Sequence, residues 1–234
     1  MKVLELFAGS RSFSRVAEEY GWETYTTDYE DFENIDQVCD IVDFDINKML
    51  KEFGKPEILW ISPPCTTFSV ASIGHHWKGG NRAYIPKTQE AVLGMRIVAE
   101  AKLILRTLNP KWFYIENPRG LLRKLPVMTK EDYVRHTIWY CQYHSKDDED
   151  RGLMKRAKPT DIWTNDKIWT PRAVCKNGNP ECDHEKAPRG SRTGTQGLKN
   201  DYERSMIPAD LCREIIENII KQRYNIKENE WKKI

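Results

Sequence analysis

Two residues of this chain could do chemistry because of their type and their position. Cys65 follows two prolines, which fix the backbone and hold the thiol at a defined place. A thiol can act as a nucleophile where positive charge or a helix N-terminus favours its thiolate, although most cysteines are structural. Glu116 begins the sequence Glu-Asn-Pro. A carboxyl group in a cleft can transfer a proton when its pKa is tuned; the alternative is an ordinary loop glutamate.

A third segment, Phe7-Ala8-Gly9, could approach a ligand with its backbone. Glycine permits close contact there, and the N-terminus of the helix that follows favours a carboxylate or a phosphate. Asp28 ends the next predicted strand, where a carboxylate commonly binds ribose hydroxyls. Ser10, Arg11 and Ser12 replace the further glycines of a dinucleotide fingerprint. The pattern favours a nucleoside-type ligand without a pyrophosphate, or else an ordinary turn and a solvated aspartate.

Strands and helices alternate along the part of the chain that must position these residues. Apolar spacing predicts strands at 2–7, 23–27, 38–42, 57–61, 111–115, 137–143 and 161–164, and helices at 13–20, 47–53, 88–108 and 209–220. This alternation predicts an α/β fold, with a mostly parallel sheet and helices on both faces. Because ligands bind at the carboxyl ends of such strands, the three segments should meet at one edge.

The length of 234 residues permits one core with a small appendage. We predict a catalytic domain at 1–165, a small irregular insert at 166–203, and a C-terminal helix at 204–234 that completes the domain. The net charge is only +2, but residues 151–200 hold 11 Lys/Arg and 5 Asp/Glu, a local basic excess that suits phosphate binding.

No apolar run approaches the roughly 18 residues that span a bilayer, and the first residues show no signal-peptide pattern. We therefore expect a cytoplasmic protein that has no membrane partner and acts as a monomer. Six cysteines without a secretion signal predict free thiols rather than a disulfide framework.

The three segments together resemble motifs of the DNA (cytosine-5) methyltransferases. The similar motifs are those of cofactor, nucleophile and acid: Leu4-Glu-Leu-Phe-Ala-Gly9, Pro63-Pro64-Cys65 with Phe68-Ser69, and Glu116-Asn117-Pro118. Their order and separation also fit the family over residues 1–165, and Arg204-Ser-Met-Ile-Pro208 is similar to its closing motif more loosely. The resemblance implies a Rossmann-like fold that uses S-adenosylmethionine, and methylation of cytosine carbon 5 in double-stranded DNA.

The resemblance also implies roles for individual residues. Cys65 would attack carbon 6 of a cytosine flipped out of the duplex, and Glu116 would protonate N3. The glycine-rich loop 66–86 matches the loop that closes over the extruded base. The cofactor is expected against Phe7, Ala8, Gly9, Asp28, Tyr29, Asp40, Ile41, Pro64 and Ser205, of which Ser205 stands where the family has an asparagine.

A further motif departs from the family. Its Gln-x-Arg-x-Arg segment is replaced by Leu153-Met-Lys-Arg-Ala-Lys-Pro-Thr-Asp161, so that either Arg156 or Lys158 could supply the basic group beside the base. The departures indicate a compact, diverged branch, such as a phage or mobile-element enzyme. A tRNA cytosine-5 methyltransferase and a catalytically silent relative that binds DNA or cofactor remain alternatives.

The insert carries two further candidate sites. Cys175, Cys182 and His184 are three possible zinc ligands, but their spacing is not standard and a fourth ligand is not obvious. Lys186–Lys199 offers arginine and glutamine for base edges and Ser/Thr for phosphates, as expected of a target-recognition segment. The alternative for this segment is a flexible basic loop.

Overall fold

The computed structural model describes residues 1–79, 84–176, 178–184 and 201–226. In these ranges the strands are β1 Lys2–Leu6, β2 Glu23–Asp28, β3 Gln37–Val38, β4 Ile58–Ile61, β5 Trp77–Lys78, β6 Ile85–Pro86, β7 Trp112–Pro118, β8 Val134–Trp139 and β9 Pro159–Thr164. The helices are α1 Ser12–Glu19, α2 Ile46–Glu52, α3 Ile73–His76, α4 Gln89–Leu108, α5 Pro126–Thr129, α6 Lys146–Asp150, α7 Asp201–Ser205 and α8 Ala209–Tyr224.

The main sheet has seven strands in the order β3-β2-β1-β4-β7-β9-β8. Neighbouring strands from β3 to β7 pair in parallel, whereas β9 runs antiparallel to both β7 and β8. All four residues of β4 are buried, as expected of a parallel strand that is covered on both faces. The predicted α/β fold with a mostly parallel sheet is confirmed.

Helices cover the two faces of the sheet through separate hydrophobic clusters. Val3 and Ile58 point to the face that packs against α1 and α8, where Phe13 stacks on Trp60 with ring centroids 4.7 Å apart. Leu4 and Leu59, their neighbours in sequence, point to the opposite face, which α4 covers. This alternation follows from the two-residue period of a strand.

A buried carboxylate joins the first strand to the first helix. Glu5 of β1 accepts hydrogen bonds from the backbone N–H groups of Phe13 (3.3 Å) and Ser14 (2.8 Å) in the first turn of α1. These donors have no partner within their own helix, so Glu5 acts as the N-terminal cap that the helix sequence does not supply. This contact fixes the turn between β1 and α1.

Two predicted strands are wrong at their ends. Strand 38–42 is reduced to Gln37–Val38, because the Asp40 carboxylate accepts the Val42 N–H (3.1 Å) and starts a 3₁₀ turn at Ile41–Asp43. The predicted strand 137–143 is instead Val134–Trp139, and a 3₁₀ turn follows at Tyr140–Gln142.

The segment 66–86, predicted as a loop, contains α3 and the antiparallel pair β5–β6 within its described residues. Trp77 anchors it, since its ring is buried and its Nε1 donates to the Thr67 carbonyl (2.7 Å). His76 is bonded through Nδ1 to the Thr88 hydroxyl (2.7 Å) at the start of α4.

The first residues of the predicted insert pack against the sheet domain. Asp166 accepts hydrogen bonds from Tyr114 of β7 (2.8 Å) and from Asn218 of α8 (2.7 Å), and Trp169 is buried beside them. The C-terminal helix α8 therefore holds residues 166–169 against the core. Among the described residues, none of the helices has the length and apolar character needed to cross a bilayer.

Candidate active site

Three adjacent strands bring the candidate segments to one edge of the sheet. β1, β4 and β7 are neighbours, and Leu6, Ile61 and Ile115 are in register across them. Phe7–Gly9 follows β1, Ser62–Cys65 follows β4, and Glu116 to Pro118 end β7. The expected meeting of the three segments is observed.

The turn that carries Cys65 is held from two sides. Asn117 is fully buried, and its Nδ2 donates to the Pro63 carbonyl (2.8 Å). On the other side, the Leu121 N–H donates to the Phe68 carbonyl (2.8 Å), while the Cys65 carbonyl accepts the N–H of Phe68 (3.0 Å). Asn117 was predicted only as a member of the motif that contains the acid. Its position next to the candidate acid was the only signal for its role as a clamp.

Glu116 is buried, with 5% of its surface exposed. Its Oε1 accepts a hydrogen bond from the Tyr140 hydroxyl (2.8 Å) and lies 3.8 Å from Nζ of Lys158. Burial raises the pKa of Glu116, and the charge of Lys158 opposes the rise. The carboxyl group therefore keeps its proton to higher pH than an ordinary glutamate, which suits a proton donor.

The two basic candidates have different surroundings. Lys158, 8% exposed, places Nζ near Glu116, donates to the Arg204 carbonyl (3.0 Å) and lies 4.6 Å from the centre of the Tyr140 ring. Arg156 instead donates to the carbonyls of Glu203 (3.0 Å) and Met206 (2.7 Å). Lys158 is thus beside the acid, while Arg156 holds α7 and the residue that follows it. Both precede β9, whose reversed direction puts its first residue at the edge where the other strands end.

Opposing influences act on the Cys65 thiol, which is half-buried. Burial raises the pKa of Cys65, Lys158 and Arg204 lower it, and the nearby Glu116 raises it. The net effect is a raised pKa, so the thiol form is favoured in the free protein. Lys158 and Arg204 act in the opposite direction and make the thiolate easier to form. This role of Arg204 was not predicted from the sequence. Arg204 lies more than 130 residues from Cys65 in the chain, so spacing alone gave no signal.

A pocket of about 260 Å³ adjoins the nucleophile. Six of the predicted cofactor residues line it, together with four that were not predicted: Phe7, Asp28, Tyr29, Asp40, Ile41 and Pro64, joined by Thr27, Cys39, Leu93 and Ile97. Leu93 and Ile97 come from α4, one turn apart on one face of that helix. Pro64 lines the pocket and is bonded to Cys65, so the pocket and the thiol are neighbours.

Three predicted cofactor residues do not line this pocket. Gly9 has a left-handed backbone (φ +46°), and its N–H donates to Asp28 Oδ2 (2.9 Å). Ala8 is buried, and its N–H donates to the Thr27 carbonyl (3.0 Å). Ser205 is exposed, and its hydroxyl donates to the Tyr202 carbonyl (2.7 Å). Gly9 and Ala8 thus bind residues that line the pocket, Asp28 and Thr27, without lining it themselves.

Asp28 lines the pocket at the end of β2. Besides the Gly9 contact, its Oδ1 accepts the Glu30 N–H (3.1 Å). Burial raises the pKa of Asp28, while these backbone donors lower it. An aromatic side chain, a carboxylate at a strand end and an apolar wall fit a nucleoside with its ribose hydroxyls on Asp28.

The structure also brings the predicted metal ligands together and adds a fourth residue. The ligand atoms of Cys141, Cys175, Cys182 and His184 all lie within 4.8 Å of one another. Cys141 was not predicted, because it was assigned to a strand. The predicted target-recognition segment Lys186–Lys199 lies outside the described residues.

The family model for the C-5 cytosine-specific DNA methylases matches residues 1–135, which carry Cys65, Glu116 and the pocket. The chain belongs to this family. The C-5 cytosine methylases are DNA (cytosine-5-)-methyltransferases whose cofactor is S-adenosylmethionine, so this protein is an enzyme of that class. The match ends in β8, before Lys158 and the insert.

This chain is also similar to two individual proteins. A probable DNA (cytosine-5)-methyltransferase of Frog virus 3 (isolate Goorha) is 30% identical over 196 residues, which cover 82% of this chain and 83% of the viral protein. The crystal structure of a mutant Spodoptera frugiperda DNMT2 matches with a TM-score of 0.38 and 15% identity, over 75% of this chain and 53% of the insect chain.

Proposed function

We propose that this C-5 cytosine methylase modifies double-stranded DNA with Cys65 as nucleophile, Glu116 as acid and Lys158 as the cation that stabilises both. The observation that supports it best is the position of Pro64. This residue lines the nucleoside-sized pocket and is covalently bonded to Cys65. A cofactor in the pocket and a base on Cys65 would therefore be adjacent.

The residues at the sheet edge account for the first chemical step. The Cys65 thiolate forms a bond to carbon 6 of cytosine, and the electron pair displaced from the ring reaches N3. Glu116 gives its proton to N3, so that the adduct is a neutral enamine with a nucleophilic carbon 5. The raised pKa of Glu116 keeps this proton available. S-adenosylmethionine, when bound, supplies the methyl group.

Charge changes at this step explain why a buried cation is needed. Ionisation of the Cys65 thiol releases a proton and leaves one negative charge on sulfur. After attack and proton transfer, that charge is on Glu116. Lys158 acts on both groups, since it lowers the pKa of Cys65 and lies 3.8 Å from Glu116 Oε1. It can therefore stabilise the charge before and after it moves.

The carboxyl group of Glu116 is oriented by its own neighbour. Tyr140 donates to Oε1, and the Tyr140 ring lies beneath the ammonium group of Lys158. This arrangement fixes one oxygen toward the tyrosine and the lysine, and leaves the other for the base. We assign Tyr140 a positioning role.

The cofactor residues proposed from the pocket are Phe7, Asp28, Tyr29, Asp40, Ile41 and Pro64. Asp28 would bind the ribose hydroxyls, and Gly9 would hold the Asp28 carboxylate in place. Ala8 and Ser205 stay predictions of the family resemblance. Every proposed catalytic group comes from one chain, which supports action as a monomer. Access to a base within a duplex requires that the base be flipped out.

One experiment tests the proposal. Purified protein is incubated with tritiated S-adenosylmethionine and either plasmid DNA or tRNA, alongside Cys65→Ser and the remote control Cys212→Ala. We expect label in DNA with the wild type and the control, and none with Cys65→Ser. Label in tRNA alone would refute DNA as the substrate.

A second readout isolates the nucleophile. A duplex containing 5-fluorocytosine should trap the wild-type protein as a denaturant-resistant adduct in the presence of cofactor, because fluorine cannot leave carbon 5 as a proton does. An adduct that forms equally with Cys65→Ser would show that another residue attacks the base.

A further inference from the structure

Four potential metal ligands meet beside the catalytic edge of the sheet. Cys141 lies in the turn that follows β8, whereas Cys175, Cys182 and His184 come from the insert. Cys141, Cys175 and His184 are buried, and Cys182 is half-buried. Residues separated by more than 30 positions in sequence thus place three sulfur atoms and one imidazole around a common centre.

The spacing of the ligand atoms fits a tetrahedral zinc ion. With Zn–S bonds of about 2.3 Å and a Zn–N bond of about 2.0 Å, neighbouring ligand atoms are separated by roughly 3.5–3.8 Å. Cys175 Sγ lies 3.8 Å from His184 Nδ1, and all four ligand atoms lie within 4.8 Å of one another. Small side-chain movements would therefore complete the coordination shell.

Among the described residues, apolar packing around the cluster is sparse. Its hydrophobic cluster consists of Cys141, Ala157 and Cys175, with Trp139 and Cys182 partly buried at its side. So few apolar groups contribute little stabilisation, and small segments of this kind commonly depend on a metal. The cysteines themselves form most of this core.

We propose that Cys141, Cys175, Cys182 and His184 bind a structural zinc ion that fastens the insert to the catalytic edge of the sheet. Three cysteines with one histidine form a closed structural zinc site, without an open position for substrate. Cys141 directly follows Tyr140, whose hydroxyl binds Glu116. The metal would therefore fix the insert next to the catalytic acid. This inference does not depend on the proposed methylation.

Polar neighbours of the four ligands support the site. Lys155 pairs with Asp183 and acts electrostatically on Cys141 and Cys182, so it offsets the net negative charge of three thiolates around Zn²⁺. Asn179 Nδ2 lies 3.6 Å from Cys175 Sγ, a donor suited to a metal-bound sulfur. His184 Nε2 now accepts the Gly178 N–H (3.0 Å). Coordination through Nδ1 puts a proton on Nε2, so this contact must open when zinc binds.

The test is the zinc content of the full-length protein, measured by mass spectrometry after expression in zinc-supplemented medium and dialysis. We expect about one zinc per chain in the wild type. Cys175→Ala and His184→Ala should lose it, whereas His184→Cys should keep it, because four cysteines also form a structural site. Cys212→Ala, a buried cysteine outside the cluster, is the matched control and should retain zinc.

Two further measurements include the wild-type protein, so that the test remains valid even if a variant fails to fold. Cobalt substitution should give the intense visible absorption of a tetrahedral thiolate complex. A strong chelator should lower the Tm of the wild type, but not that of His184→Ala. Wild-type protein that binds neither zinc nor cobalt would overturn the proposal. So would a disulfide between two of the three cysteines, detected as four rather than six alkylated thiols under non-reducing conditions.

Discussion

Lys158→Met removes the positive charge beside Glu116 and keeps most of the volume of the side chain. In the wild type, Nζ lies 3.8 Å from Glu116 Oε1, and both groups are buried. If Lys158 stabilises the charge that passes from Cys65 to Glu116, the variant should bind DNA and cofactor but react slowly. The expected loss can be worked out from the geometry.

Two unit charges about 4 Å apart interact with about 4 kcal/mol at an effective dielectric constant of roughly 20. Arg156 and Arg204 remain near the site, and water entering the space of the ammonium group would take over part of its role. We therefore expect about half of this energy, about 2 kcal/mol, to be lost from the transition state. Since about 1.4 kcal/mol corresponds to a factor of ten, kcat should fall roughly 30-fold.

The same variant should change the pH dependence in a defined direction. Lys158 lowers the pKa of both Cys65 and Glu116, so its removal raises both. Catalysis needs the thiolate of one group and the protonated form of the other. Each limb of the pH–rate profile reports one of these two pKa values, so both limbs should move to higher pH.

Initial rates of tritium transfer to plasmid DNA, measured across pH at saturating cofactor, give both quantities. Lys158→Gln is a second variant, which can still donate to the Arg204 carbonyl but carries no charge. It should match Lys158→Met. Arg156→Met is the contrasting variant. Because Arg156 holds the carbonyls of Glu203 and Met206, its loss should lower the Tm and shift the pH profile less.

A folded Lys158→Met protein with an unchanged kcat and unchanged limbs would refute the role of Lys158. A larger alkaline shift in Arg156→Met than in Lys158→Met would assign that role to the arginine instead.

Three further changes test the pocket and the turn. Asp28→Asn should weaken cofactor binding about tenfold, as measured by calorimetry. Because burial raises the pKa of Asp28, the cofactor affinity of the wild type should begin to fall at a higher pH than it would with an ordinary aspartate. Equal affinities of the wild type and the variant would remove Asp28 from the ribose site. Asn117→Ala should release the turn before Cys65, because the hydrogen bond to the Pro63 carbonyl is lost. We expect a lower kcat, a loss of about 1–3 kcal/mol in the free energy of unfolding from denaturant titrations, and an unchanged cofactor affinity. An unaltered kcat would contradict the role of Asn117 as a clamp. Gly120→Ala should sharply lower the Tm, because its Cβ would clash with the backbone carbonyl oxygen of Phe68 in the Cys65 loop. Gly74→Ala should not, since nothing lies within 4 Å of its Cβ position. Similar Tm values for the two variants would contradict this packing.

Much of the sheet could be predicted because its strands have distinctive local signals. Ile58–Ile61 is a continuous apolar run, as expected of a strand buried on both faces. The end of β8 could not be predicted in this way. Tyr140, Cys141 and Tyr143 have the composition of a strand, but the chain turns at Tyr140, whose hydroxyl binds Glu116. A contact between distant residues overrides local propensity there.

The residues of the candidate site also differ in whether they could be predicted from the sequence. Cys65 and Glu116 lie in compact motifs directly after or within strands, and such positions can be recognised from the sequence alone. Arg156 and Lys158 are two residues apart, so an extended segment points both toward the same side. Both donate to carbonyl groups of residues 203–206, and it is the ion pair of Lys158 with Glu116 (3.8 Å) that distinguishes them. Cys141 lies 34 positions before Cys175, and no spacing rule connects such residues.

The reversed direction of β9 has a consequence for how this enzyme could diversify. β9 starts at the catalytic edge of the sheet and ends at the opposite edge. The chain must therefore come back to the catalytic edge before α8 begins. It returns to the catalytic edge twice, at His184 beside Cys141 and at Arg204 beside Lys158. Residues 185–200 connect these two anchored points in the sequence. If Lys186–Lys199 reads the DNA sequence, as predicted from its composition, recombination between relatives could exchange this stretch as a cassette and change the sequence preference, while Cys65 and Glu116 are inherited unchanged.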